Sequence, residues 1–299
     1  MSCIAVDIGG TKIAVGRVGD GGELLTDIAT APTPAHGADA VLAAVSELAA
    51  RIREPSDDCI GVSSAGIIDS ARGSVRAATS SIAGWSGAPV RSVLQEAFGL
   101  PVTVLGDGHA VGLGQAMYGV GKGKGTVVVL AVGTGIGGAL VIDGQPQLGA
   151  GGAAGHFGHM PVPEATGVSC PCGANGHAEA VGGGTGILET YRSAGGSPLV
   201  TSTAQLAARH DDQIAVDALR RGGRALGTLA GALTSALDPD LIAVSGGVTA
   251  AGAVWWAAVE QAFRASALPA LADTPLVRTE AGPATALRGA AYFAQRGNP

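Results

Sequence analysis

Residues 6–22 read VDIGGTKIAVGRVGDGG, and residues 130–144 read LAVGTGIGGALVIDG. Each stretch runs apolar strand, Gly/Thr turn, apolar strand, Gly/Asp turn. Short apolar runs bounded by glycine predict strands joined as hairpins. The second copy 124 residues after the first is an internal repeat, so the two halves of the chain are expected to share one α/β plan. GTGIGG (133–138) also fits the dinucleotide pattern G-x-G-x-x-G, but that fingerprint needs a helix directly after the loop. Ala139–Ile142 follows instead and reads as a strand, which excludes the dinucleotide reading.

Working outward, Ile4–Ile8, Ile13–Val18 and Glu23–Thr30 predict a β-meander. Ala38–Arg53 has helical spacing, with Val41, Leu42, Val45, Leu48, Ala49 and Ile52 on one face. Strand Cys59–Val62, helix Pro89–Phe98, strand Val102–Leu105 and helix His109–Tyr118 complete the first half. The second half opens with strand Thr126–Val132. It continues with helices Ile214–Leu237 and Ala250–Ala267 around strand Leu241–Val244, and closes with helix Ala284–Gln295. The expected domains are 1–118 and 119–285, with a closing helix over about 286–299 packing back on the first domain. The expected hinges lie near Gly119–Gly125 and the start of that last helix.

Composition narrows the function. The chain has 299 residues, 46% apolar, with 50 glycines, 3% aromatic residues and a net charge of −6. Such a chain builds cores from small side chains. The acidic balance and the lack of a basic run exclude nucleic acid as a main partner. Neither a signal peptide nor an unbroken apolar run of membrane length is legible, so no membrane partner and a cytoplasmic location are expected. Four cysteines in 299 residues do not make a disulfide framework. Cys3 and Cys59 read as core residues.

Three glycine loops read as anion sites. Each hairpin turn is either a plain turn or a cradle whose N–H groups face a phosphate. The candidates are Asp7, Gly9, Gly10, Thr11 and Lys12 in the first turn, and Thr134 and Gly135 in the second. SGG (245–247) follows a strand and opens a helix, a geometry suited to anions, which adds Gly246 and Gly247. Asp107 falls between a strand and a helix, at the edge where α/β sheets bind ligands. There it either caps the helix or acts as a proton acceptor.

Residues 155–180, GHFGHMPVPEATGVSCPCGANGHAEA, hold three of the six histidines and two of the four cysteines. His159, Cys170, Cys172 and His177 have the residue types and spacing of a zinc site. Four protein ligands leave no open position, so such a zinc is structural.

Together DIGGTK, GTGIGG, the Gly-His…Cys-x-Cys-Gly block and SGG resemble, in this order and over nearly the whole chain, the ROK family of sugar kinases. The resemblance implies an α/β, two-domain actin/hexokinase-like (ribonuclease H-like) fold with an interdomain cleft. It implies ATP and Mg²⁺ as cofactors, a structural Zn²⁺, a small-molecule sugar substrate and a homodimer. LGDGHA (105–110) resembles the family's Asn-Asp-x-x-Ala, which makes Asp107 the catalytic base, while Asp7 resembles the carboxylate facing Mg²⁺. The implied sugar-binding residues are Gly66, Ser81, Gly106, His156, His159 and Glu179.

Segments SAGIID (64–69) and GGAAGHFGH (151–159) resemble the bacterial N-acetylmannosamine kinases, in which His stands where most ROK kinases have Glu, here His156. The implied reaction is phosphorylation of the 6-hydroxyl of N-acetylmannosamine. Glucose or N-acetylglucosamine as substrate, or a sugar-binding protein with weak catalysis, are the alternatives. Three departures bear on this. Gly106 and Ser81 replace asparagines that bind sugar hydroxyls in the family, and His177 replaces the family's last zinc cysteine. A ROK repressor would need a DNA-binding domain ahead of a strand that here begins by residue 4.

Overall fold

The computed structural model of the chain describes residues 1–79, 81–279 and 282–297. The chain divides into two compact units. The first comprises residues 1–123, 139–155 and 282–299, and the second 124–138 and 156–281. Segments 119–123, 139–155 and 282–285, expected in the second domain, thus group with the first. The expected closing helix extends in part over residues 298–299, which lie outside the described residues.

The first half contains strands β1 (Ser2–Ile8), β2 (Lys12–Gly19) and β3 (Ala29–Pro32), helix α1 (Ala38–Ile52), and strands β4 (Asp57–Ser64), β5 (Ile67–Asp69) and β6 (Ser74–Ala77). Helix α2 (Val90–Phe98), β7 (Val102–Gly106) and α3 (Asp107–Tyr118) follow. Beyond them come β8 (Thr126–Val132), β9 (Ile136–Ile142) and β10 (Gln145–Pro146), then helices α4 (Glu179–Gly182), α5 (Gly184–Ser193), α6 (Thr203–Ala207) and α7 (Gln213–Leu237). The chain closes with β11 (Leu241–Ser245), α8 (Gly252–Ser266), β12 (Leu276–Arg278) and α9 (Pro283–Gln295).

The repeat is visible in the strand orders, β3-β2-β1-β4-β7 and β10-β9-β8-β11-β12. In the first sheet β1/β2 and β2/β3 are antiparallel, while β1/β4 and β4/β7 are parallel. In the second, β9/β10 is antiparallel, and β8/β11 and β11/β12 are parallel.

Alternation along β1 decides what each face of the first sheet carries. Ile4, Val6 and Ile8 join Ile13, Val15, Ile60 and Val62 in a core with Val41, Leu42 and Val45 of α1 and Leu94 and Phe98 of α2. Cys3 and Ala5, on the other face, pack with Cys59, Leu287, Ala291 and Ala294. Helix α9 can lie this close because β4 has glycine beneath it: a Cβ on Gly61 would sit 2.2 Å from the Ala290 carbonyl oxygen.

In the second unit α7 is capped at its start by Asp212, whose carboxylate accepts from the Ile214 and Ala215 amides at 3.0 and 3.3 Å and from the Tyr191 hydroxyl at 2.9 Å. Helices α7 and α8 meet along Gly223, Gly227 and Gly231. A Cβ at these positions would lie 2.5 Å from Trp255 O, 2.2 Å from Val259 O and 2.7 Å from Ala267 N. Among the described residues no helix is long and apolar enough to cross a membrane.

Three elements differ from expectation. The third strand is Ala29–Pro32 rather than Glu23–Thr30. Leu24 makes only an isolated bridge back to Val18, and the Thr26 hydroxyl accepts from the Arg17 amide at 3.1 Å, so residues 23–28 turn locally. Strand β9 begins at Ile136, inside the glycine run, rather than at Ala139. SGG opens a short 3₁₀ turn, Gly247–Ala250, with α8 starting only at Gly252.

Candidate functional site

In the first unit the strands converge on one edge. Asp7 is paired with Ser63 on β4, and Ser63 with Leu105 on β7. Asp107 therefore follows two strands away, exposed, as the first residue of α3. The Gly108 amide donates to Asp107 Oδ1 at 2.7 Å. Asp7 accepts from the Ser63 hydroxyl at 2.6 Å. Burial pushes the Asp7 carboxyl up to about 6, and the Asp107 charge pushes the same way. The Ser63 hydrogen bond and the Lys12 charge oppose them. The two carboxylates thus sense one another within one unit.

Gly9–Thr11 turn the chain between β1 and β2. The Gly9 amide donates to Lys12 O at 3.0 Å, and Thr33 fastens the turn from outside. Its hydroxyl donates to Gly9 O at 2.6 Å and its amide to Thr11 O at 3.0 Å. Thr11 and Lys12 are exposed. Gly10 lies under Ser81, whose Cβ would be 3.0 Å from a Cβ at position 10. The Ser81 loop is held by buried Trp85, whose indole N–H lies 3.1 Å from Ala65 O and 3.2 Å from Ser64 Oγ. Gly66 has φ +101°, and a Cβ there would meet Ala77 O at 2.7 Å, so this position requires glycine. The first unit thus brings together Asp7, Gly9–Lys12, Gly66, Ser81, Gly106 and Asp107.

In the second unit the turn Gly133–Gly135 is closed by Gly133 N donating to Gly135 O at 2.9 Å. The start of α5 fastens it, with Gly184 N on Gly133 O at 2.8 Å and Thr185 N on Thr134 O at 3.1 Å. Gly246, at φ +109°, lies over the end of β8, where a Cβ would be 2.3 Å from Val132 O. Glu179 Oε2 accepts from the Ile136 amide at 2.8 Å and lies 2.1 Å from where a Cβ on Gly135 would fall. The carboxylate braces the second glycine turn.

His159 ends a 3₁₀ turn, Phe157–His159, and the amide of Cys170 closes a tight loop on Ala174 O at 2.8 Å. One ligand atom from each of His159, Cys170, Cys172 and His177 lies within 4.8 Å of the other three. Cys170 Sγ is 3.6 Å from His159 Nδ1, and Cys172 Sγ is 3.2 Å from His177 Nδ1. Around a tetrahedral zinc at ordinary bond lengths, sulfur and nitrogen ligands are about 3.6 Å apart. The two thiols and two imidazoles therefore fit that ion in chemistry and spacing. Burial foremost pushes the Cys170 thiol up to about 11, a direction that a bound cation reverses by stabilising the thiolate. His156 is exposed, its ring stacked on that of His159 at 6.2 Å and 15°.

Three further contacts have no sequence signal. The Arg221 guanidinium donates to Glu164 O at 2.8 Å and the Thr228 hydroxyl to Glu164 Oε1 at 2.9 Å, tying the metal-type loop to α7. In the first unit the buried His109 ring places Nε2 2.7 Å from Ala154 O.

The ROK family model matches residues 3–297. The chain is 32% identical to a glucokinase of Streptomyces coelicolor over 83% of each chain. It is 31% identical to an N-acetylmannosamine kinase of Yersinia pestis over 82% of each. A ROK hexokinase from Thermus thermophilus superposes with a TM-score of 0.87 at 30% identity, covering 99% of both chains. That structural likeness carries the two-domain actin/hexokinase-like α/β fold. The chain belongs to the ROK family and, within it, to the ATP-dependent sugar kinases.

Proposed function

We propose that the chain transfers the γ-phosphoryl group of ATP to the 6-hydroxyl of N-acetylmannosamine. The observation that carries the chemistry is the pair of carboxylates on one sheet edge: Asp107 exposed, and Asp7 held by Ser63 and raised to about 6. In this reading Asp107 accepts the proton of the sugar hydroxyl as its oxygen bonds to phosphorus and the bond to the departing ADP breaks. Asp7 is the carboxylate that would face Mg²⁺, which supplies charge neutralisation at the phosphates. The amides of Gly9–Thr11, Thr134–Gly135 and Gly246–Gly247 and the Lys12 ammonium bind phosphate oxygens. Gly66, Ser81, Gly106, His156 and Glu179 bind the sugar, Glu179 through its second carboxylate oxygen. His159, Cys170, Cys172 and His177 hold a structural zinc.

Support for the acetamido sugar comes from His156 on the GGAAGHFGH segment, together with the 31% identity to the Yersinia enzyme. Glucose has comparable support from the 32% identity to the Streptomyces enzyme. Coupled measurement of ADP release over N-acetylmannosamine, N-acetylglucosamine and glucose tests the reading. The highest kcat/KM is expected for N-acetylmannosamine, and a preference for glucose overturns the substrate assignment.

A further inference from the structure

We propose that His109 is a positioning residue of the phosphoryl-transfer site, and that it acts as a strut between the Asp107 turn and the chain leading to His156. The proposal rests on the reading of Asp107 as proton acceptor.

His109 stands two residues after Asp107 in the first turn of α3 and is 4% exposed. Its Nε2 lies 2.7 Å from Ala154 O, a contact across 45 residues. A carbonyl oxygen only accepts, so Nε2 carries the proton there. The other ring nitrogen faces backward. A Cβ on Gly106 would be 3.3 Å from His109 Nδ1 and 3.5 Å from Gly66 O. The imidazole therefore crowds the one residue before Asp107, and glycine leaves room for it.

Segment 149–155 is also held elsewhere. Arg76 Nη1 donates to Gly151 O at 3.2 Å at the surface, and Gly152 sits against β5, where a Cβ would be 2.2 Å from Ile68 O. The His109 contact, on Ala154, lies nearer to His156 in sequence than these two, and the His109 ring is buried. Removing the donor of a partly buried hydrogen bond leaves the carbonyl poorly satisfied, so its loss is felt more than that of an exposed one. One side chain thereby fixes both the turn that presents Asp107 and the approach to His156.

The experiment compares His109→Ala and His109→Gln in the full chain, reading sugar KM, kcat and amide exchange. Glutamine can place an N–H donor near the Nε2 position. His109→Ala should lower kcat/KM for the sugar about 10- to 100-fold, the order expected when reacting groups shift by an ångström or less. It should speed exchange at 106–109 and 151–156 while leaving KM for ATP near parental. His109→Gln should recover most of both effects. Parental exchange in His109→Ala overturns the strut. Faster exchange with parental sugar kinetics overturns the positioning role, as does a glutamine variant no better than alanine. Gly106→Ala adds a coupled check. Its Cβ should cost less on a His109→Ala background than on the parent, and equal costs overturn the pairing of the two positions. Full activity in Asp107→Asn would count against the proton-acceptor reading, while the exchange readout still tests the strut by itself.

Discussion

The two glycine turns are copies in topology and opposites in chemistry. Each links the first two strands of its sheet through three residues, Gly9–Thr11 and Gly133–Gly135, and each is fastened by a threonine amide to a turn carbonyl, Thr33 to Thr11 and Thr185 to Thr134. The first turn has a carboxylate in its own incoming strand, Asp7, and a lysine on its way out. At the matching place in the second stands Ala131, and the carboxylate beside the turn is Glu179, from 43 residues away. The duplication kept the scaffold and let the charges diverge. The difference is that the first turn carries on its own strand a carboxylate whose titration the fold shifts, while the second borrows a distant carboxylate to brace its backbone.

Four measurements break or sharpen that contrast. The largest expected effect is that of Asp107→Asn, with kcat falling about 10²–10⁴-fold in a folded protein, as for loss of a general base. Near-parental kcat would remove the first unit's chemical role. Next, Cys172→Ala should abolish binding of about one zinc per chain by elemental analysis and raise sugar KM. His177→Cys should keep the metal. Because Glu164 is tied to α7 by Arg221 and Thr228, the Cys172→Ala chain should remain folded by circular dichroism. Metal-free parent with full activity would end the account of this loop.

Third, Asp7 titrates higher in the folded chain than its ordinary 3.8. Its contribution is fully present below that value and is lost as pH rises through about 6. In the absence of nucleotide and Mg²⁺, the stability of Asp7→Asn relative to the parent should therefore increase from about pH 4 to about pH 7.5, by at most about 3 kcal/mol. Urea unfolding at the two pH values measures it, and a difference independent of pH contradicts the shift. The smallest effect is that of Glu179→Gln. It should cost about 1–2 kcal/mol of local stability through the weakened bond to Ile136 N, raising KM for sugar more than it lowers kcat. A loss of kcat as deep as that of Asp107→Asn would erase the asymmetry between the two turns.

Much of this was legible in the sequence because it is local. The repeat, the β1/β2 hairpin, α1 and α7 follow from apolar period and glycine punctuation over a few residues. The His159, Cys170, Cys172 and His177 cluster follows from residue type and spacing, and the structure brings its ligand atoms within reach of one ion. The missed parts have other causes. Strands β5 and β6 are three and four residues long and mix Asp, Ser and Arg with apolar residues, too short for a period to show. Helices α4 and α5 include Gly182, Gly184 and Gly186, with extended Gly183 between them, where propensity argues against helix and tertiary packing overrides it. Glu179 on Ile136 and His109 on Ala154 join residues more than 40 apart, and nothing in either neighbourhood marks the partner.

The glycine seam between α7 and α8 has a consequence for anyone seeking a tougher variant. Replacing glycine by alanine in a helix interior ordinarily stabilises by about 1 kcal/mol, which makes Gly223, Gly227 and Gly231 look like inviting targets for consensus engineering. Here the added methyl groups would meet the backbone of the neighbouring helix at 2.2–2.7 Å, with no flexible side-chain tip to yield. The helices would have to separate along their length, opening voids in the packed seam around Val259. A library that swaps helix glycines indiscriminately should therefore recover its gains at exposed positions and lose them along this seam.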